Sequence, residues 1–301
     1  MVLLKNNANI KLRGQMKMKI NIAGVKIEIK GEIFDYFKYR LHEYVIDESE
    51  ICDICILCES KDEIVIPCGE IIQKNSYRVF SYKDNWLYCY DILKDDKCSA
   101  LIKADEKWTD IVCQIYDVED LGGASLNIRQ FNMLGLVMKY IMLHHGGLMI
   151  HSSSLAYKNS GIIFSADSGT GKSTHTRLWK KVFDGVEIIN DDMPVVRFID
   201  DKWHLCGSPW SGKTEINTNK KVPLSAIVFI ERGENNEIDE IYPPDSVFRL
   251  MKQTLIPPGK KLTSIAMANI SKLFESVPVY RLKCTISEEA PEVVAKKLNL
   301  L

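Results

Sequence analysis

Alternation of apolar and polar residues at period two dominates the first 120 positions and predicts a β-rich half. Residues 17–24 and 25–29 alternate on either side of a glycine turn, which predicts a hairpin. A short helix is expected at 35–41. Further strands are predicted at 63–67, 77–82, 86–92 and 111–116. No catalytic grouping stands out here, so we expect residues 17–121 to form a domain that positions a substrate or a partner.

The pattern changes after Gly122-Gly123. Apolar residues recur at helical spacing over 125–145, and Gly146-Gly147 ends the predicted helix. Strands are then predicted at 148–157, 161–165, 186–189, 193–199, 203–206, 224–230 and 277–285, and helices after residue 171 and at 245–255, 266–275 and 290–298. We therefore predict a mixed α/β (α+β) fold with a second domain at 122–301 and an unstructured leader at 1–16.

A phosphate-binding loop follows the strand at 161–165. Residues 166–173 read Ala-Asp-Ser-Gly-Thr-Gly-Lys-Ser between that strand and a helix. In such a loop, backbone N–H groups and the positive end of the helix converge on a polyphosphate. The first glycine of the usual pattern is replaced by Ala166, which is tolerable if its φ is negative. The predicted nucleotide-binding residues are Asp167, Ser168, Gly169, Thr170, Gly171, Lys172, Ser173 and Thr174.

Two carboxylates stand where the next strand ends. One of Asp191 and Asp192 could hold Mg²⁺ while the other accepts a proton from an attacking hydroxyl. The Ser173 hydroxyl is placed to bind the same ion, and Lys172 to bridge phosphate oxygens. We therefore predict ATP and Mg²⁺ as cofactors, with Ser173 and Asp191 as the metal residues.

Three further residues are candidates for the site. His151 lies on the strand next to the phosphate loop and is predicted to face the γ-phosphate or the acceptor, although such a histidine is more often a hydrogen-bonded core residue. Lys213 and Arg232 are candidate cations for the transferred phosphoryl group or for an acidic substrate, with a solvated surface position as the alternative. The predicted catalytic set is Asp192, His151, Lys172 and Asp191.

The connection before the phosphate loop predicts an unusual sheet. A turn at 158–161 joins the strands at 148–157 and 161–165, and so short a turn makes these neighbours antiparallel. An ordinary P-loop NTPase has a mostly parallel sheet around its loop. The sequence therefore predicts a different architecture around the same loop.

Charge and hydropathy exclude several kinds of partner. The 301 residues contain 39 Lys plus Arg against 40 Asp plus Glu, a net charge of −1, which calls for neither nucleic acid nor an anionic membrane. The most apolar long stretch, 131–150, is interrupted by charged residues, histidines and glycines and is too polar to cross a bilayer. Residues 1–5 are too short an apolar run for a signal peptide. We expect a soluble cytoplasmic protein.

Nine cysteines raise the alternative of a metal centre. Cys52, Cys55 and Cys58, with Cys68 beyond, resemble part of an iron–sulfur run. Residues 51–58 favour a strand, however, and a strand would point Cys55 away from Cys52 and Cys58. We therefore interpret these cysteines as small packing residues.

His151, the loop at 166–173 and Asp191-Asp192 together resemble the HPr serine kinase/phosphorylase family. More narrowly they resemble the HPr-kinase-like proteins of modified-peptide gene clusters, including lasso-peptide kinases. The similarity covers roughly residues 125–300 and is strongest over 148–198. It implies a nucleotide fold shared with phosphoenolpyruvate carboxykinases and transfer of phosphate to a serine-type hydroxyl. By this resemblance Asp192 is the proton acceptor, His151 the active-site histidine, Lys172 the phosphate lysine and Ser173 the magnesium residue.

Two departures shape the predicted function. The family's magnesium-binding glutamate has no match in residues 207–213, and the region that docks the HPr protein is not recognisable. We therefore predict an ATP- and Mg²⁺-dependent kinase of a serine in a peptide or small protein other than HPr, with a homo-oligomer left open. A kinase of a free small molecule such as an amino acid is the first alternative, and a nucleotide-dependent binding or switch protein is the second.

Overall fold

The first half of the chain forms a mixed eight-stranded sheet. The structure is a computed structural model that describes residues 15–212 and 214–301. The strands are β1 (Gln15–Ile22), β2 (Val25–Glu32), β3 (Ile54–Lys61), β4 (Glu70–Lys74), β5 (Arg78–Lys83), β6 (Trp86–Ile92), β7 (Cys98–Ala104) and β8 (Asp110–Tyr116). Their order across the sheet is β1-β2-β3-β8-β7-β6-β5-β4. The pairs β2–β3 and β3–β8 are parallel and the others antiparallel. The predicted hairpin is therefore present as β1–β2.

The helix predicted at 35–41 is also present, as α1 (Asp35–Leu41), followed by a short 3-10 helix at His42–Tyr44. It lies in the connection between the parallel strands β2 and β3, which no tight turn could join.

The second half opens with a two-stranded ribbon and a long helix and continues as a mixed sheet. Its helices are α2 (Leu126–His144), α3 (Lys172–Val182), α4 (Asp245–Gln253), α5 (Gly259–Phe274) and α6 (Glu289–Lys297). Its strands are β9 (Asp120–Leu121), β10 (Ala124–Ser125), β11 (Gly147–Met149), β12 (Ser152–Tyr157), β13 (Ser160–Ser165), β14 (Glu187–Asn190), β15 (Val195–Ile199), β16 (Lys202–Cys206), β17 (Lys221–Arg232), β18 (Glu237–Glu240) and β19 (Val279–Cys284). The predicted mixed α+β class is thus what the chain adopts.

The phosphate-loop strand β13 lies inside the second sheet. The order is β11-β15-β16-β17-β13-β12-β14, with β19 also beside β17 and β18 beside β19. Strand β13 runs antiparallel to β12 and parallel to β17. The antiparallel neighbour predicted from the short turn is therefore confirmed. The kinase-type architecture that the resemblance implies stays a prediction.

Helix α2 connects the hydrophobic cores of the two sheets. Its residues Val137, Tyr140 and Ile141 are fully buried, which suits a helix with packing partners on more than one face. Tyr140 stacks on Trp108 of the β7–β8 turn with ring centroids 4.2 Å apart. Residues of both sheets belong to one continuous apolar cluster around this helix. The division predicted at 121/122 stays a prediction. No helix in the described ranges combines the length and hydropathy needed to span a bilayer.

Two strands predicted from the sequence are wrong. The strand predicted at 63–67 is absent, because Ile64 packs into a small cluster with Val79 and Tyr90 without joining a ladder. The single strand predicted at 148–157 is two strands, because the chain changes partners from β15 to β13 and β14 at Ile150-His151. The predicted leader, 1–16, otherwise lies outside the described residues, but its last two positions already pair with β2.

Arg40 of α1 ties the first half to a loop of the second. Its guanidinium, 4% exposed, donates to the Pro209 carbonyl at 2.6 Å and to the Ser211 hydroxyl at 2.5 Å. It also lies 5.0 Å from the centre of the Phe131 ring on α2. Three elements distant in sequence therefore meet at one buried cation.

Replacing Arg40 with alanine is expected to destabilise the protein by about 3 kcal/mol, because buried carbonyl and hydroxyl groups lose a charged donor. The measurement is the free energy of unfolding from urea denaturation followed by circular dichroism. Lys38→Ala is the control, because it removes a cation from the same helix whose partner Asp35 is solvent-exposed. Equal losses in the two variants would contradict the structural role assigned to Arg40.

Candidate active site

The phosphate loop leaves β13 and enters α3 with an open concavity. Gly169 and Gly171 have φ of +78° and +116°, and a Cβ built on either meets no atom within 4 Å. These glycines are therefore required by backbone conformation and not by crowding. Ala166 is not among the positive-φ residues, so its methyl group is tolerated. Its buried side chain belongs to the apolar cluster beneath the loop, which gives the departure from glycine a packing role.

Lys172 is the first residue of α3 and folds back over the loop. Its Nζ donates to the Ala166 carbonyl at 2.9 Å and lies 3.4 Å from the Asp167 carbonyl oxygen. Burial lowers the pKa of this lysine, while the negative charges of Asp192 and Asp167 act in the opposite direction. The structure thus brings Asp192 close enough to Lys172 for their charges to interact.

Helix α3 is fixed to the sheet by a buried histidine and tryptophan. Trp179 Nε1 donates to His175 Nε2 at 3.1 Å, and the imidazole packs 4.5 Å from the centre of the Phe164 ring. Both side chains are almost fully buried. Burial lowers the pKa of His175 to about 3, so the ring stays neutral and its Nε2 stays a hydrogen-bond acceptor.

This histidine is expected to make the protein acid-sensitive. Below pH 6.5 the unfolded chain binds a proton at His175 that the folded chain does not take until about pH 3. The stability that the neutral ring confers is therefore lost as pH falls, by about 1.4 kcal/mol per pH unit in this window. Urea unfolding at pH 7, 6, 5 and 4.5 measures how the free energy of unfolding changes with pH.

His175→Leu should make this pH dependence weaker, and His42→Gln, at an exposed position, should leave it unchanged. An equal pH dependence in wild type and His175→Leu would contradict the assignment.

Asn190, at the end of β14, shapes the corner that carries the two aspartates. Its fully buried side chain accepts from the N–H groups of Asp192 at 2.8 Å and Met193 at 2.7 Å. Its amide donates to the Ser208 carbonyl at 2.8 Å. The sequence contains the signal for this turn, since an asparagine can bind the backbone two residues on, although Asn190 was not among the predicted site residues.

The two aspartates have different surroundings. Asp191 is buried, and its Oδ1 accepts the Gly212 N–H at 2.7 Å while its Oδ2 accepts the Thr214 hydroxyl. Burial, together with the nearby Asp192, raises the pKa of Asp191. Asp192 is 38% exposed, and among the described side chains its ion-pair partner is His151. Asp191 therefore holds the loop that carries Gly212 and Thr214, while the Asp192 carboxylate is accessible to solvent.

His151 lies at the break between β11 and β12 and faces Asp192. Its Nε2 is 3.5 Å from Asp192 Oδ1, and its Nδ1 is 3.2 Å from the Gln253 side-chain oxygen. Because that amide oxygen can only accept, Nδ1 carries a proton, and Nε2 donates to the Asp192 carboxylate when it carries a proton as well. The Gln253 amide nitrogen donates to Asp167 Oδ1 at 3.2 Å, so one side chain connects His151 to the phosphate loop. No local sequence signal indicates Gln253.

The remaining predicted residues lie in or beside the phosphate loop, except Lys213. Arg232 lies at the end of β17 and its Nη2 donates to the Gly169 carbonyl at 3.2 Å, on the phosphate side. Ser168 and Thr174 are exposed, and within the described ranges the Ser173 hydroxyl has no hydrogen-bond partner. Lys213 lies outside the described residues.

The loop and its surroundings fit a nucleotide and a hard cation. The free Ser173 hydroxyl is an oxygen ligand of the kind Mg²⁺ accepts. The oxygens of Asp191, the predicted carboxylate ligand, accept from Gly212 and Thr214, and its metal role stays a prediction. A cavity of about 360 Å³ adjoins Gly171, Thr174, Arg232 and Ile286, large enough for part of a nucleoside. In the described part of the chain, no three His, Cys, Asp or Glu residues are grouped as metal ligands.

The cysteines lie apart from this site. Cys55 and Cys58 are on opposite faces of β3, as the alternation predicts, and Cys58 is buried opposite Cys113 of β8. Cys68 is exposed in the segment before β4. The positions of these thiols agree with packing roles for the buried ones.

Comparisons with known proteins show a weak structural similarity. A search of protein families and a search of curated protein sequences each found no match. Among solved structures, the HPr(Ser) kinase/phosphatase from Coxiella burnetii matches 50% of this chain and 87% of its own, with 9% sequence identity and a TM-score of 0.29.

Proposed function

We propose that this chain is an ATP- and Mg²⁺-dependent phosphotransferase that acts on a hydroxyl group, with a serine of a peptide or small protein as the acceptor. The observation that carries the proposal is the position of Asp192 between the phosphate loop and an open cleft. Its charge acts on Lys172 of the loop and on Lys139 of the cleft. A carboxylate at this position can contact an acceptor hydroxyl in the cleft and lie near a phosphate donor bound to the loop.

Each residue has a defined part in this reaction. The backbone of residues 168–171 and the Lys172 ammonium would hold the phosphates, and Ser173 would bind Mg²⁺. The ion, when bound, neutralises charge on the phosphate oxygens. Asp192 accepts the hydroxyl proton as the acceptor oxygen bonds to the γ-phosphorus and the bond from phosphorus to the ADP oxygen breaks. His151, when its Nε2 is also protonated, would hold the Asp192 carboxylate in place.

The test is transfer of radiolabelled phosphate from ATP, with and without Mg²⁺, to the small peptides encoded beside the gene. Mass spectrometry then locates the label. Phosphoserine that appears only with Mg²⁺ supports the proposal. Binding of ATP with release of phosphate and no labelled acceptor would instead favour a nucleotide-dependent switch. A cytoplasmic location and a homo-oligomer belong to the same proposal and await fractionation and mass measurement.

A small molecule is the second candidate acceptor. The cavity on the acceptor side of Asp192 has a volume of about 600 Å³, which suits a compound of amino-acid size or a single residue of a peptide.

A further inference from the structure

A cleft runs from Asp192 to the first sheet. The phosphate loop and its proposed nucleotide do not occupy it. Its walls come from strands β5 to β7, from helix α2 and from the segment after β14, and it encloses about 600 Å³. Ala100, Ile102 and Phe131 line its apolar part, while Asp192 lies in its wall on the phosphate-loop side. An acceptor in this cleft would therefore contact both halves of the chain and present a hydroxyl to Asp192.

Two of the three cations in the wall already have partners. Arg78 makes a two-pronged pair with Asp91, with Nε 2.5 Å from Oδ1 and Nη2 2.7 Å from Oδ2. Arg129 donates to the carbonyls of Tyr116 and Val118, and the negative charges of the neighbouring Asp117, Glu119 and Asp120 stabilise its guanidinium. Both arginines therefore already make structural hydrogen bonds at the edge of the cleft.

Lys139 is the third cation and has no such partner. Within residues 15–212 and 214–301, its Nζ makes no hydrogen bond and no ion pair. The side chain is half-buried on α2, and burial lowers its pKa; of the charges that act on it, Asp192 stabilises the ammonium and Arg78 opposes it. A half-buried ammonium without a counter-ion is costly, and an anion bound beside it would offset that cost.

We infer that the cleft is the acceptor site of the proposed phosphotransferase and that Lys139 binds an anionic group of the acceptor. The inference rests on the proposed function and narrows its substrate to hydroxyl compounds that carry a carboxylate or a phosphate. With the anion on Lys139, the hydroxyl end of a compound of amino-acid size reaches towards Asp192. The first sheet then has a direct role, because β5 to β7 form one wall of the substrate site.

The experiment compares matched acceptors that differ in charge. N-acetyl-L-serine is paired with N-acetyl-L-serinamide to test a carboxylate, and glycerol 3-phosphate with glycerol to test a phosphate. The full-length protein, radiolabelled ATP and Mg²⁺ give kcat/KM for each compound. For at least one pair we expect the anion to be preferred by roughly 10- to 100-fold, the size of one charge-assisted hydrogen bond.

Variants of Lys139 then assign the preference to this side chain. Lys139→Gln should bring the ratio within the pair close to one, Lys139→Arg should retain most of it, and Lys180→Gln on the exposed face of α3 should leave it unchanged. ATP affinity, measured by equilibrium binding, should be the same in all four proteins. Equal rates within both pairs, or a preference that survives Lys139→Gln, would overturn the inference.

The inference and the proposed function fail in distinguishable ways. If the protein binds and hydrolyses ATP with Mg²⁺ but labels none of the four compounds, the assigned acceptor class is wrong, and labelling of the peptides then decides between a phosphotransferase and a nucleotide-dependent switch. If the protein does not bind ATP at millimolar concentration, the phosphotransferase itself is wrong, and with it the acceptor site.

Discussion

Replacing Lys172 with methionine is expected to lower the rate of phosphate transfer by roughly 1,000-fold, with weaker ATP binding. Its ammonium group crosses the loop to the Ala166 carbonyl at 2.9 Å, so it lies where phosphate oxygens would enter the concavity. Lys172→Arg should restore little of the transfer rate, because a planar guanidinium group does not fit the position of a compact ammonium group. Initial rates with radiolabelled ATP and equilibrium ATP binding provide the measurement.

A stability control separates this effect from unfolding. Because burial lowers the pKa of Lys172, the folded state holds its charge at a cost, and Lys172→Met should unfold at the same urea concentration as wild type or at a higher one. Lys180→Met, on the exposed face of the same helix, should retain full activity. A Lys172→Met protein that folds and transfers phosphate at the wild-type rate would remove this lysine from the site.

Replacing Asp192 with asparagine is expected to reduce kcat by roughly 100- to 10,000-fold while ATP affinity changes little. The amide keeps the shape of the carboxylate, but it cannot take the proton of the acceptor hydroxyl. The Asn190 side chain still accepts from the backbone N–H at 192, so the corner should keep its conformation. The measurements are kcat and KM for the acceptor together with the dissociation constant for ATP.

Two comparisons sharpen this prediction. Asp184→Asn alters an exposed carboxylate soon after α3 and should leave kcat unchanged. His151→Gln should have a smaller effect than Asp192→Asn, because the imidazole touches the carboxylate and acts through its position. An unchanged kcat in Asp192→Asn would show that another group accepts the proton.

The local parts of the candidate site could be predicted because their signals are contiguous. Glycines, lysine and serine of residues 166–173 occur together between a strand and a helix, and the short turn at 158–161 determines an antiparallel neighbour. The predicted extent of helix α2 is also close to the observed Leu126–His144, since its apolar spacing and flanking glycines mark both ends.

The parts that were missed join positions far apart in the chain. Gln253 connects His151 to Asp167, and Arg40 connects α1 to the loop at 209–211. Lys139 looked like a charged interruption of an apolar helix, and only its place in the cleft gives it a chemical meaning. Neither hydropathy nor spacing carries information on such contacts, because each depends on how separate elements pack.

The sequence alone determined that a strand, a glycine turn and a helix follow one another over residues 160–182, since these depend on backbone conformation within a few residues. The tertiary structure decided which carboxylate is accessible. Asp191 and Asp192 are indistinguishable as neighbours in the sequence, yet packing turns Asp191 towards Gly212 and Thr214 and leaves Asp192 beside Lys172 and the cleft. A side chain's chemistry follows from its surroundings, and the surroundings of these two are made by residues distant in the chain.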